Sequence, residues 1–188
     1  MIGIIKDPNG DTRTANGDID FATFHKANAR HREDVANAMD FLASEITYAG
    51  ASHDHTKTGK DEEEFYKEFN EYRKTGEDFK NSPWYQMHIR EEKHHLNSYV
   101  HKDVDLIDVL EMIADCVCAG LARSGEVRPI EISPDVLALA VQNTADLIEK
   151  QCVLIDMMGH DEEEVAGRIN EGLLKGGEEL GELQQDGI

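Results

Sequence analysis

Residues 51–57 read ASHDHTK, placing His53, Asp54 and His55 in succession with Lys57 just behind. Such a run is a poor core filler and an unusual turn, but it is a good start for a metal site. The other residues of ligand type, in chain order, are His31, His88, the pair His94-His95, and Asp115. Imidazole with carboxylate suits Mn, Fe, Co, Ni or Zn better than calcium. His88 and His95 are seven positions apart, about two helical turns, so an unbroken helix would put them on one side and aim His94 elsewhere. Asp115 interrupts an apolar helical stretch between Met112, Cys116 and Ala119. A carboxylate there is costly unless paired or metal-bound.

Taken singly, each residue has a plainer reading. His31 could be a hydrogen-bonded, half-buried histidine, His53-Asp54 a capping pair, His94-His95 a solvated doublet, and Asp115 the partner of Arg123 or Arg90. Taken together, the order of a lone His, an adjacent His-Asp, further histidines and a late helical Asp resembles the HD superfamily of all-α metal-dependent phosphohydrolases. The resemblance spans residues 21–125. It implies His31, His53, Asp54 and Asp115 as metal ligands, and in two-metal members Asp54 as the bridge to a second ion completed by His88 and His94 or His95. HDHTK also matches the HD-x-x-K form, and the spacing of Trp84, His88, His94 and His95 looks like a domain family of unknown function from bacterial and phage genomes. HHLNSYVHK stands where the cyclic-dinucleotide phosphodiesterases carry Gly-Tyr-Pro.

The resemblance implies one or two divalent transition-metal ions lowering the pKa of a bound water, to about 7 in favourable cases. Asp54 and Lys57 would be the catalytic residues, and Lys57, Arg90 and Lys93 would hold the substrate's phosphoryl oxygens. The expected substrate is a nucleotide or another small phosphate ester. His55 is expected beside the ligands or in solvent. Two alternatives stay open. HD-type oxygenases hold a mixed-valent di-iron pair with four histidines and two aspartates, and a metal-stabilised helical module could simply bind a nucleotide or a protein. For such a module the DEEE runs at 61–64 and 161–164 could face a basic partner, although acidic first turns also suit the helix dipole.

The elements that must position these residues are helical. Residues 1–20, with DPNGD and ANGD, read as an irregular or hairpin-like lead-in. Residues 21–188 read as a single all-α, HD-like domain, with the metal-site core in 21–125 and C-terminal helices in 134–175. Asp20 is the expected cap of a first helix whose stripe is Val35, Met39, Leu42 and Ile46, with His31 on the same face. YAGASHDHTKTGKD is expected to interrupt it. Next come a helix carrying Phe65, Phe69 and Tyr72, another opened by Ser82-Pro83 and running through WYQMHIREEKHHLN, and a strong one after Asp103 ended by glycine. A long helix after Pro134 carries Leu137, Val141, Thr144, Ile148, Gln151, Ile155 and Met158, a stripe suited to core or a homodimer interface. A last helix is expected from Asp161 before a glycine-rich tail, with no β-run beyond the first residues.

Composition narrows the partners. The chain has 188 residues and a net charge of −20, which disfavours long nucleic acid, since phosphate neutralisation needs a basic face. Most of the excess lies late: residues 103–188 carry 5 Lys/Arg against 20 Asp/Glu. No run is long and apolar enough for a membrane span, and MIGIIKDPNGD lacks signal-peptide features, so a cytoplasmic protein is expected. Three cysteines without CxxC spacing read as reduced helical residues.

Overall fold

The computed structural model describes residues 1–6, 14 and 17–156. They form five α-helices and one short two-stranded sheet: β1 (Ile2–Lys6), α1 (Phe21–Ser52), α2 (Gly59–Thr75), α3 (Pro83–Glu91), α4 (Leu106–Ser124), α5 (Pro134–Gln151) and β2 (Cys152–Asp156). The fold is all-α in class. No helix among the described residues is long and apolar enough to cross a membrane. The chain divides into two compact units, Met1–Phe41 with Ile148–Ile188, and Leu42–Leu147. The helix expected from Asp161, the glycine-rich tail and Met158 lie outside the described residues.

In the first unit Asp20 caps α1, its Oδ1 accepting from the Thr23 amide at 2.8 Å. The expected stripe does not form a core here: Val35 is 48% and Met39 59% exposed. The long helix expected after Pro134 stops at Gln151, and β2 pairs in parallel with β1, Ile2 opposite Cys152 and Ile5 opposite Ile155. The apolar CVLI run can satisfy its backbone on another strand, and Val and Ile suit that geometry. Ile2 and Ile155 are the buried members. Cys152 therefore sits on a strand, not a helix, and all three cysteines are free.

The second unit positions the ligand-type residues. Its apolar core joins Leu96, Val104, Val109 and Met112 to Ala140, with Leu106, Cys116, Ile132 and Val136 packed around them. The face α5 buries is thus Val136, Ala140 and Thr144, while Leu137 and Val141 of the expected stripe are exposed. Thr144 ties the two helices together, its Oγ1 accepting from the Leu106 amide at 2.8 Å and donating to the Ala140 carbonyl at 2.8 Å. α4 begins with a capping box, Asp105 accepting from Ile107 and Asp108 while Asp108 accepts from the Asp105 amide. It ends at Gly125, whose φ of 74° is the left-handed cap that glycine adopts without strain.

An aromatic cluster supports α3. Phe65 and Phe69 of α2 surround Phe79 and Trp84, with Phe65 and Trp84 ring centres 4.4 Å apart. Ser82 caps α3 by accepting from the Tyr85 amide, and Pro83 occupies the first turn, as expected. Trp84 stacks on His88 at 4.9 Å and 15°, carrying the rigidity of this cluster to the site.

Candidate metal centre

α1 does not break at Tyr48-Ala-Gly50 but continues to Ser52. A lone helical glycine costs only about 1 kcal/mol. The break comes at the His-Asp doublet itself, where Asp54 adopts φ 55° and ψ 35°. This left-handed conformation is disfavoured for most side chains but tolerated by Asp and Asn. It reverses the chain, and a 3-10 turn over His55–Lys57 follows.

A second break admits both late histidines. α3 ends at Glu91, and Glu92 leaves the helix with φ −90° and ψ 100°. The chain then turns tightly, with the His95 amide donating to the Glu92 carbonyl and Leu96 to that of His94. His94 therefore does not point away, as an unbroken helix would require. Glu92 can leave the helix because its carboxylate has partners, accepting from the Thr56 amide at 2.9 Å and the Thr56 hydroxyl at 2.7 Å.

Around Asp54 the ring nitrogens converge. Its Oδ1 lies 3.4 Å from His88 Nε2 and 3.7 Å from His94 Nε2, and its Oδ2 lies 3.4 Å from His53 Nε2. His95 Nε2 is 2.8 Å from His88 Nε2, and Asp115 Oδ1 is 3.8 Å from His53 Nε2. Lys57 Nζ donates to Asp54 Oδ2. Two sets of potential ligand atoms, His53 with His94 and Glu111, and Asp54 with His88 and His95, each lie within 4.8 Å of one another. Atoms about 2.1 Å from a shared cation sit roughly 3–3.5 Å apart, so these spacings fit metal coordination.

Three buried polar atoms at this place, Asp54 Oδ1 and both ring nitrogens of His94, have no aligned hydrogen bond. His94 is 2% exposed. Its Nδ1 is 3.0 Å from Glu111 Oε1, close enough for ionic attraction but off the hydrogen-bond direction. Unsatisfied buried polar atoms are costly and rare. A cation held by Asp54 Oδ1 and His94 Nε2 would remove that cost for these two atoms, with Nδ1 left to Glu111, so the residues present fit a metal.

The hydrogen bonds behind the rings determine which nitrogen faces the centre. The Thr56 hydroxyl has one proton, and Glu92 can only accept, so Thr56 donates to Glu92 and accepts from His88 Nδ1–H at 2.6 Å. His88 must then present an unprotonated Nε2 to Asp54. Burial, the Lys57 charge and His95 push the pKa of His88 down to about 4, which keeps the ring neutral. Glu111 Oε1 is 2.8 Å from His53 Nδ1. Glu111 thus backs His53 and His94 through their Nδ1 atoms while their Nε2 atoms turn toward Asp54, the carboxylate–histidine arrangement that orients metal-binding rings. We therefore read Glu111 as orienting the rings, although its oxygen also lies within ligand range.

Charges are shared accordingly. Burial alone would raise the Asp54 carboxyl, but the Lys57 hydrogen bond and charge, with His53 and His88, hold it below its ordinary value. Burial would lower His94, but Glu111 outweighs it and raises the ring. Burial and His94 lower His95. Thr56→Val should remove the hydroxyl link at constant shape, costing about 1–3 kcal/mol of stability and about 10–100-fold in metal affinity. Thr56→Ser should restore most of both. Denaturant melts and metal titrations of the two variants read the result, and a Val variant with unchanged metal affinity would remove Thr56 from this role.

Of the expected ligands, the fold gathers His53, Asp54, His88, His94, His95 and Asp115. His31 is exposed on α1 in the first unit, and neither it nor Asp115 is in the two ligand sets, although Asp115 lies 3.8 Å from His53. Lys57 is at the centre. Lys93 is ion-paired with Asp103 at 2.6 Å and Arg90 is exposed on α3. His55 is 59% exposed and lies 3.1 Å from Glu92, beside the ligands as expected. The sequence reading missed Glu111, Thr56 and Glu92. Glu111 had a signal, since it precedes Asp115 by one turn in the same apolar helix. Thr56 and Glu92 had none.

No curated protein and no solved structure matches this chain. A family model matches residues 21–153, which include every residue of the site. The chain belongs to that family, a family of unknown function (DUF5662).

Proposed function

We propose that this protein is a metal-dependent phosphohydrolase acting on a small phosphate ester. The observation that carries the metal centre is the pair of buried atoms without a hydrogen bond, Asp54 Oδ1 and His94 Nε2, beside the Nε2 atoms of His53, His88 and His95. Hydrolysis is favoured over simple metal storage by Lys57, a cation held by Asp54 at the centre and 38% exposed, hence open to an arriving anion. A bound Mn, Fe, Co, Ni or Zn ion supplies an acidified water and positive charge.

The chain's own residues do the rest. Asp54, between the imidazoles, supplies the negative charge that draws a divalent ion. Thr56, Glu92 and Glu111 keep the rings pointing inward, so little reorganisation is needed when the ion binds. Lys57 can pair with a non-bridging phosphoryl oxygen. In the reaction the water oxygen bonds to phosphorus, the ester P–O bond breaks, and the alcohol leaves with a proton.

The ligand inventory also favours a second reading, a di-iron oxygenase. Four imidazoles and the carboxylates of Asp54 and Asp115 lie together here. One preparation separates the two. Metal analysis of protein purified without added metal comes first, then phosphate release from monoesters and nucleotides with Mn²⁺ or Co²⁺, then electron paramagnetic resonance after iron loading. Phosphate release supports the hydrolase. Two irons per chain with a mixed-valent signal and no phosphate release would replace it with the oxygenase, and absence of bound metal would overturn both.

A further inference from the structure

The second unit contains a cavity of about 300 Å³ that opens beside the centre, lined from α1 by Ile46, Ala49 and Gly50 and from α4 by Leu110, Ala114 and Cys118. Its polar residues are His53, Glu111 and Asp115, all at the metal-centre end. No lysine or arginine lines it. Ile46 and Leu110 are 43% and 48% exposed, so apolar surface is left uncovered beside reactive groups. The second cavity at the site differs in chemistry. It is about 280 Å³ and lined by Glu91, Glu92, Lys93, Asp105, Asp108 and Glu111 among others.

We propose that the α1–α4 cavity binds an uncharged alkyl or aryl group of the substrate, whose oxyanion end lies at the metal centre. The proposal rests on the metal-centre reading above and narrows the substrate to a compact monoester of an apolar alcohol. Its size is near the lower end of ordinary ligand pockets, roughly 300–1,000 Å³, so it suits one ring or a short chain. Charge argues in the same direction. A polyphosphate tail there would find no lysine or arginine along the cavity walls, and it would forfeit its hydration against alanine, leucine and isoleucine. An apolar group instead covers surface that now meets water.

The test uses full-length protein loaded with Mn²⁺ and two homologous ligand series, methyl- to hexylphosphonate and the corresponding alkyl hydroxamates. The hydroxamates chelate a metal whatever reaction it serves. Calorimetric affinity should climb about fourfold per added methylene until the cavity is full. Gly50→Leu should flatten that climb while leaving the methyl compound within about fourfold, one methylene's worth. A Cβ at Gly50 meets nothing within 4 Å, and leucine is the better helix former, so the backbone accepts the substitution; circular dichroism checks the fold of the variant. Ala114→Phe from the opposite wall should act in the same way.

A climb among hydroxamates with no phosphonate binding would support the cavity and overturn the phosphate-ester reading. Phosphonates that bind with no dependence on chain length would overturn the cavity and leave that reading standing. If neither series binds, or if Gly50→Leu and Ala114→Phe leave the climb intact, the cavity assignment is wrong.

Discussion

Asp54→Asn should lower turnover at least about a thousandfold, roughly 4 kcal/mol of transition-state stabilisation, and lose most of the bound metal while keeping the fold. Asp54 has both oxygens engaged, Oδ1 toward His88 and His94, and Oδ2 toward His53 and Lys57. Asparagine keeps the size and one oxygen but removes the negative charge that offsets Lys57 and would attract a divalent ion. The choice of asparagine matters because residue 54 has φ 55°. Alanine there adds about 1–2 kcal/mol of backbone strain, which would blur loss of metal with loss of fold. Asparagine tolerates that conformation. Elemental analysis, turnover and far-ultraviolet circular dichroism on the same sample decide it. Full metal occupancy in Asp54→Asn would show that the ion, if any, is held elsewhere.

Removing metal from the wild-type protein should lower its melting temperature by about 10 °C, and restoring it should reverse the loss. A ligand at a thousand times its dissociation constant stabilises the native state by about 4 kcal/mol, and each kcal/mol moves the midpoint of a chain this long by about 2–4 °C. The structural reason is local. Without a cation, Asp54 Oδ1 and both His94 nitrogens are buried and unpartnered, and His88 and His95 bring Nε2 atoms within 2.8 Å. An ion would give Asp54 Oδ1 and the ring Nε2 atoms a partner and leave His94 Nδ1 facing Glu111. Thermal scans after chelation, and after adding back Mn²⁺, Co²⁺ or Zn²⁺, measure the shift. Asp54→Asn should show little metal-dependent gain. A wild-type midpoint that chelator and metal leave unmoved would mean the buried atoms do not meet an ion.

These expectations draw on two kinds of information in the chain. Local signals were legible because their physics is local. Asp20 caps α1 through an amide three residues on, Asp105 and Asp108 close a box at the start of α4, and Gly125 ends it. The ligand types were legible for a related reason. Histidines and aspartates on or beside half-apolar helices are expensive to bury without a task, so His31, His53, Asp54, His88, His94, His95 and Asp115 stood out before any contact was known. The apolar periodicity of α5 was less informative. Several registers of its face look alike in sequence, and Val136, Ala140 and Thr144 are the ones α4 covers.

What the sequence by itself determined is the all-α class, most helix starts and the inventory of groups able to hold a metal. Only the tertiary structure decided how that inventory is used. It brought Glu111 to the rings of His53 and His94. It bent the chain at Asp54 and Glu92 so that adjacent histidines could both turn inward. It joined Thr56 to His88 and Glu92 across 32 and 36 residues, and it drew CVLI into a strand opposite the N-terminus. The reason is that caps and turns are satisfied within a few residues. Ring tautomers, ion pairs and strand partners depend instead on atoms that packing brings together from distant parts of the chain.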